Sequence, residues 1–174
     1  EELDLATQKE YARKQKSFVD LGVAHACLTL IQGGIFVEGN LADNACCLLE
    51  EMLRAGNDDV QEAVAFYIEK VDRDSRFLLH LDVRIKHARM IVKERKEKTE
   101  YVKVRDKGHL EGYKSALKTL KLIQQMSEGH NLRLQKLLRR QGNSVSVDVL
   151  NSIVQLVILM VDSSSSLTRM DTIE

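Results

Sequence analysis

The sequence predicts an all-α fold, and three observations carry that expectation. Its 174 residues include no proline and no tryptophan. Apolar residues recur on a 3.6-residue period in stretches of roughly ten to twenty residues. Short Gly/Asn turns separate those stretches. At ordinary usage near 5%, a chain this long holds roughly eight or nine prolines. Proline breaks helix interiors and otherwise marks turns and edge strands, so its absence favours helices joined by other turn chemistry.

From the N-terminus, residues 5–21 and 23–32 predict two helices, divided near Gly22 and stopped at Gly33-Gly34. The run Ile35-Phe36-Val37 is too brief to predict a strand. Residues 41–55 predict a third helix on Leu41, Ala45, Leu48, Leu49 and Met52, with Asn40 as N-cap and Gly56 just past its end. Val60, Ala63, Val64, Tyr67, Ile68 and Val71 then fall on one stripe, opened by Asn57 and Asp58 as caps. The link 55–58 therefore reads as the turn of an αα-hairpin. Residues 77–92 predict a helix with Phe77, Leu81, Ile85, Ala88 and Val92 on one face.

Residues 93–107 are highly charged, readable as a solvated helical continuation, a flexible insertion, or both. The pattern returns at Leu110 with Tyr113, Ala116, Leu117, Leu120 and Ile123. Gly129 predicts a break in the left-handed C′ conformation, and Asn131 a cap for a short helix over 132–140. A last helix, capped by Ser144 or Ser146, runs to Val161; being apolar on most sides after Ile153, it is expected to be central and buried. No close repeat of fixed period emerges. Paired helices of this kind form armadillo- or HEAT-like stacked hairpins, with a compact helical bundle as the alternative.

Composition excludes several classes. Leu, Ile and Val are plentiful and net charge is zero, against intrinsic disorder. Three cysteines without framework spacing argue against a disulfide scaffold and suit reduced structural thiols. The most apolar stretch, 145–161, is interrupted by Asp148, Asn151, Ser152 and Gln155, too polar for a span of about 20 apolar residues. The chain opens on Glu rather than Met, which suggests a piece of a longer or processed protein. The zero total hides an asymmetry: residues 1–83 hold 8 basic and 16 acidic side chains (−8), 84–107 hold 10 and 4 (+6), and 108–174 hold 8 and 6 (+2).

Searches for chemistry return little. No P-loop, GxGxxG, GxSxG or HExxH is present. His25, His80, His87, His109 and His130 lack the tight spacing of a metal site, and Cys46-Cys47 point to different helix faces. Glu50-Glu51 and Asp58-Asp59 read as a solvated face and a helix start rather than acid/base pairs. The basic run Arg84, Lys86, Arg89, Lys93, Arg95, Lys96 and Lys98 is interrupted by Glu94, Glu97 and Glu100, and only Tyr101 is available for base stacking. A solvated face or linker is therefore preferred, then a protein partner, ahead of a nucleic-acid or membrane surface. The sequence nominates no catalytic, cofactor-binding or metal-ligating residue and no cofactor.

Two segments are more specific. One runs Leu48-Leu49-Glu50-Glu51 through Gly56-Asn57 to Val60-Gln61 and Phe66-Tyr67. The other runs from Ile123 through Gly129-His130-Asn131-Leu132-Arg133-Leu134-Gln135-Lys136-Leu137-Leu138-Arg139-Arg140-Gln141-Gly142-Asn143. Both resemble the cytosolic helical region of intracellular calcium-release channels, the inositol trisphosphate and ryanodine receptors. The second resembles their RIH-associated domain. Asp20-Leu21-Gly22-Val23-Ala24 is similar to a further turn of the family, in the right order. Residues 93–107 occupy the place of a long charged insertion, and are much shorter here.

The resemblance implies three parts: an acidic armadillo-like block over 1–92, a charged connector over 93–108, and an RIH-associated-like block over 109–174. It implies a non-catalytic, signal-transmitting module of an inositol trisphosphate receptor-like channel at the cytosolic face of the endoplasmic reticulum. The implied partners are other domains of the same chain and neighbouring subunits of a homotetramer, with no nucleic acid and no membrane contact by this segment. The alternative from another class is a free-standing cytosolic scaffold that binds a partner helix in a groove. On the residues alone, Gly129-His130-Asn131 is a helix–helix turn that needs no ligand.

Overall fold

A computed structural model describes residues 5–33, 41–97, 107–142 and 145–168 of the protein. Eight α-helices make up these residues: α1 (Leu5–Asp20), α2 (Val23–Gly33), α3 (Leu41–Leu53), α4 (Asp58–Phe66), α5 (Arg76–Glu97), α6 (Lys107–Ser127), α7 (Leu132–Arg139) and α8 (Val149–Thr168). A π-helical segment, Tyr67–Val71, continues α4, and a 3₁₀ turn, Glu128–His130, follows α6. No strand occurs among the described residues, so the fold is all-α. The expected Asn40 cap, the Ile35–Val37 run, residues 98–106 of the charged connector and Ser144 lie outside them.

Helix α5 is the axis of the molecule, packing against α8, α6 and α2, while α3 packs against α2 and α6. Phe77, Leu78, Leu81 and Ile85 of α5 are wholly buried, with Leu28 and Ile31 of α2, Leu49 and Met52 of α3, and Leu122 and Met126 of α6. One continuous apolar core draws on all of these and on Leu134, Leu138 and Val149. Helix α6 comes close to α5 at Gly112: a Cβ there would lie 2.5 Å from Ile91 Cδ1.

Local sequence explains most of the boundaries. Asn57 Oδ1 accepts from Val60 N at 3.1 Å and opens α4. Asp72, itself buried, accepts from the backbone N–H of Arg76 and Phe77 at 2.9 and 2.8 Å and opens α5. Helix α8 starts on Asp148, whose Oδ1 accepts from Asn151 N at 2.9 Å; the expected serine cap is thus replaced by a carboxylate three residues upstream of that donor. Helix α3 ends at Leu53, short of Ala55, because Ala55 and Gly56 both take positive φ.

Several faces differ from the periodic expectation. Val71 is exposed, since the wider π turn at Tyr67–Val71 carries it off the stripe that buries Val60, Val64 and Ile68. Leu117, Leu41 and Leu48 are also exposed. The largest departure is α8, which is not central: it turns Val149, Ser152 and Leu156 inward and leaves Val154, Val157, Ile158, Met160 and Val161 about half exposed. An apolar helix at the edge of a layer buries one face only. Val157→Gln is accordingly expected to change stability by less than about 0.5 kcal/mol in urea unfolding.

Candidate functional site

The two segments singled out in the sequence meet in space, and they do so as copies of one another. Ala55 and Gly56 take φ of 62° and 68°; Gly129 and His130 take 68° and 60°. Each left-handed pair is followed by an asparagine that caps the next helix: Asn57 to Val60 N at 3.1 Å, Asn131 to Leu134 N at 2.9 Å. The turns lie back to back. A Cβ on Gly56 would stand 3.3 Å from Gly129 N and 3.4 Å from the Glu128 carbonyl carbon. Glycine at 56 is therefore favoured by its backbone angle and, more specifically, by the approach of the second turn's backbone. A repeat is present after all, with Asn57 and Asn131 as equivalent positions. Asn131→Ala is expected to cost about 1 kcal/mol of cap alone and more through the contact described next, measured by denaturant midpoint.

A glutamine from another helix clasps each turn. Gln15 of α1 donates through Nε2 to the carbonyls of Glu51 and Arg54 at 3.2 and 3.0 Å, while its Oε1 accepts from Asn57 Nδ2 at 2.8 Å. Gln61 of α4 donates through Nε2 to the carbonyls of Gln125 and Glu128 at 3.4 and 2.9 Å, while its Oε1 accepts from Asn131 Nδ2 at 2.8 Å. One amide thus covers orphan carbonyls at a helix C-terminus and is held by the asparagine that starts the next helix. Each clasp is flanked by an ion pair between the residue after the glutamine and the second residue after the asparagine. In the first it is Lys16 with Asp59, at 3.1 Å. In the second it is Glu62 with Arg133, with the charges exchanged; Arg133 also meets Glu69 at 2.8 Å.

A second polar centre lies between α3, α5 and α6. Asp43 receives Arg84 at 2.8 Å, Lys118 at 3.1 Å and Ser115 at 3.3 Å. Arg84 also donates through Nε to His80 Nε2 at 2.7 Å and through Nη1 to Cys46 Sγ at 3.7 Å. His80 Nδ1 is buried with no hydrogen-bond partner. Burial, and then the Arg84 charge, push the His80 pKa down to about 4, with Asp43 opposing. Burial raises the Asp43 carboxyl, but the Lys118 hydrogen bond and the Arg84 and Lys118 charges outweigh it and hold it below its ordinary value. Burial pushes the Cys46 thiol up to about 11, leaving it inert as a nucleophile. All three cysteines are free thiols.

The basic run therefore divides. Arg84 belongs to this buried network and Lys86 pairs with Asp82 at 2.6 Å, so neither is part of a uniformly solvated face. Asp58 and Asp59 open α4, as expected. Arg139 ends α7, but Arg140 lies just beyond it in extended backbone (φ −152°). Gln141 is a bracket. Its buried amide donates to the carbonyls of Leu137 and Val147, and its Oε1 accepts from Val147 N at 2.7 Å. It joins the end of α7 to the approach of α8. Beside it Lys136, Arg139, Arg140, Ser146 and Asp148 line an open cleft of about 690 Å³. Among the described residues no group of three or more His, Cys, Asp or Glu is placed to hold a metal ion. None of the described helices is long and apolar enough to cross a membrane.

The second hairpin is also where the chain meets known sequence. Residues 111–173 match a family model described as RyR and IP3R Homology associated, called RIH_assoc. Over this segment the chain is similar to RIH-associated sequence. The match takes in most of α6, the Gly129 turn, α7 and α8, and so contains the whole specific signature. A comparison with curated proteins gives no match. The matched segment is joined to the N-terminal helices through its turn, by Gln61 and Arg133.

Proposed function

We propose that the chain is a non-catalytic, signal-transmitting helical module of an intracellular ligand-gated calcium-release channel similar to the inositol trisphosphate receptors. It works at the cytosolic face of the endoplasmic reticulum against other domains of the channel and its neighbouring subunits. The RIH-associated match over 111–173 carries this reading, and the clasp supplies a physical means for it. A hairpin whose turn is gripped by a helix of the preceding hairpin cannot shift alone. Displacement of α4 is passed to the end of α6 and the start of α7 through Gln61, Asn131 and Arg133.

The test is expression of the full-length protein in cells devoid of release channels. Inositol trisphosphate is expected to release stored calcium, and Arg133→Glu, which reverses an exposed ion pair rather than a core contact, to shift agonist sensitivity several-fold. No evoked release from correctly folded protein sinks the channel reading. Unchanged sensitivity in the variant sinks the transmission route.

A further inference from the structure

The clasp has a third glutamine. Gln61 stands four residues after Asn57, and its backbone N–H donates to the Asn57 carbonyl; Gln135 stands four residues after Asn131, and donates in the same way. Gln61 is 1% exposed because the second hairpin covers it, whereas Gln135 is half-buried. Its Nε2 turns back to its own hairpin, to the Ser127 carbonyl at 3.3 Å, and its Oε1 has no partner among the described residues. The next residue is Lys136, exposed and in no ion pair among the described residues, where the clasped positions hold Lys16 and Glu62.

We propose that the α7 face carrying Gln135 and Lys136 docks a third helical hairpin of the same kind. Its chemistry follows from the two clasps seen. A helix ends in two carbonyls three residues apart that accept from Gln135 Nε2. Two left-handed residues follow, and then an asparagine cap whose Nδ2 donates to Gln135 Oε1. Two residues after that asparagine stands Asp or Glu, paired with Lys136, because the ion pair falls at that position in both existing clasps. Arg139, in the same helix, adds to the cationic surface that an acidic turn meets. A second copy of this chain is not the occupant: its two hairpins already hold Gln15 and Gln61, so among the described residues it offers no open turn of this kind. This docking goes beyond the channel reading and does not need it.

The experiment places the photoreactive residue p-benzoylphenylalanine at Leu132, exposed and one helical turn before Gln135, in the full-length protein in its native cell, and maps the cross-linked peptide by mass spectrometry. The expected peptide holds a helix–turn–helix with Asn followed two residues later by Asp or Glu. Its yield is expected to fall at least tenfold in Gln135→Leu and in Lys136→Glu, both of which keep the melting temperature of the unsubstituted chain within a few degrees. Cross-links only within residues 1–174, cross-links to residues 51–59 of a second copy, a peptide without that turn, or a yield unmoved by either variant would each overturn the proposal.

Discussion

Gln61→Leu is expected to lower stability by about 3 kcal/mol, since a buried donor or acceptor left without a partner costs about 1–3 kcal/mol. The substitution keeps the volume and removes the amide. That strips the Glu128 carbonyl and Asn131 Nδ2 of their partner, together with the longer contact to the Gln125 carbonyl, in a place where Gln61 is 1% exposed. In a chain of this length the melting temperature should fall by roughly 6–12 °C. Two comparisons isolate the cause. Gln135→Leu, the same change at the equivalent position one hairpin later, should cost under about 0.5 kcal/mol, as surface changes do. Combining Gln61→Leu with Asn131→Ala should cost less than the two singly, because they share one hydrogen bond. A loss under about 1 kcal/mol for Gln61→Leu, or additive effects in the double variant, would remove the clasp as a stabilising contact.

The clasp also marks where sequence stops being readable. Helix stripes and turn positions are local, and the sequence carried them: Asn57 and Asn131 cap the helices expected of them, and Gly129 takes the left-handed conformation. The repeat itself is hidden because the residues around its shared glutamine and asparagine differ between the copies. Ala55-Gly56 does the work of Gly129-His130, and Lys16 with Asp59 that of Glu62 with Arg133 with charges reversed. What is conserved between the copies is a geometry, built from two glutamines that reach 42 and 70 residues along the chain to an asparagine. Pattern reading weighs neighbours three or four apart and does not see such pairs.

Burial is hard to read from sequence for a related reason. A stripe tells that a helix has an apolar face, not how many layers lie beyond it. Helix α8 is apolar on most sides after Ile153, yet its described side chains bury one face, Val149, Ser152 and Leu156, and leave Val157, Ile158 and Val161 about half exposed. The reverse holds for Arg84, which belongs by sequence to a solvated basic run. It lies one turn from His80 and reaches across to α3, where its guanidinium meets Asp43 and Cys46.

That burial gives the other large expectation. Asp43→Ala should cost about 3–5 kcal/mol, because removing one partner of a buried pair leaves the other charge uncompensated. The side chain of Arg84 is 12% exposed and would face Lys118 without the carboxylate between them. Replacing Lys118 instead, whose side chain is 33% exposed, should cost far less. The same centre sets a pH dependence. His80 has a folded pKa of about 4 against an ordinary 6.5, so the unfolded chain binds the extra proton between those values. Its contribution is complete above pH 6.5 and is lost as pH falls toward 4, by about 2–3 kcal/mol in all. Asp43, held below its ordinary 3.8, adds its own loss only at lower pH. Denaturant unfolding across pH 7 to 4 should therefore show a slope that His80→Leu flattens. A slope unchanged in that variant would mean that another group carries it, and that the His80 ring is not kept neutral by burial and Arg84.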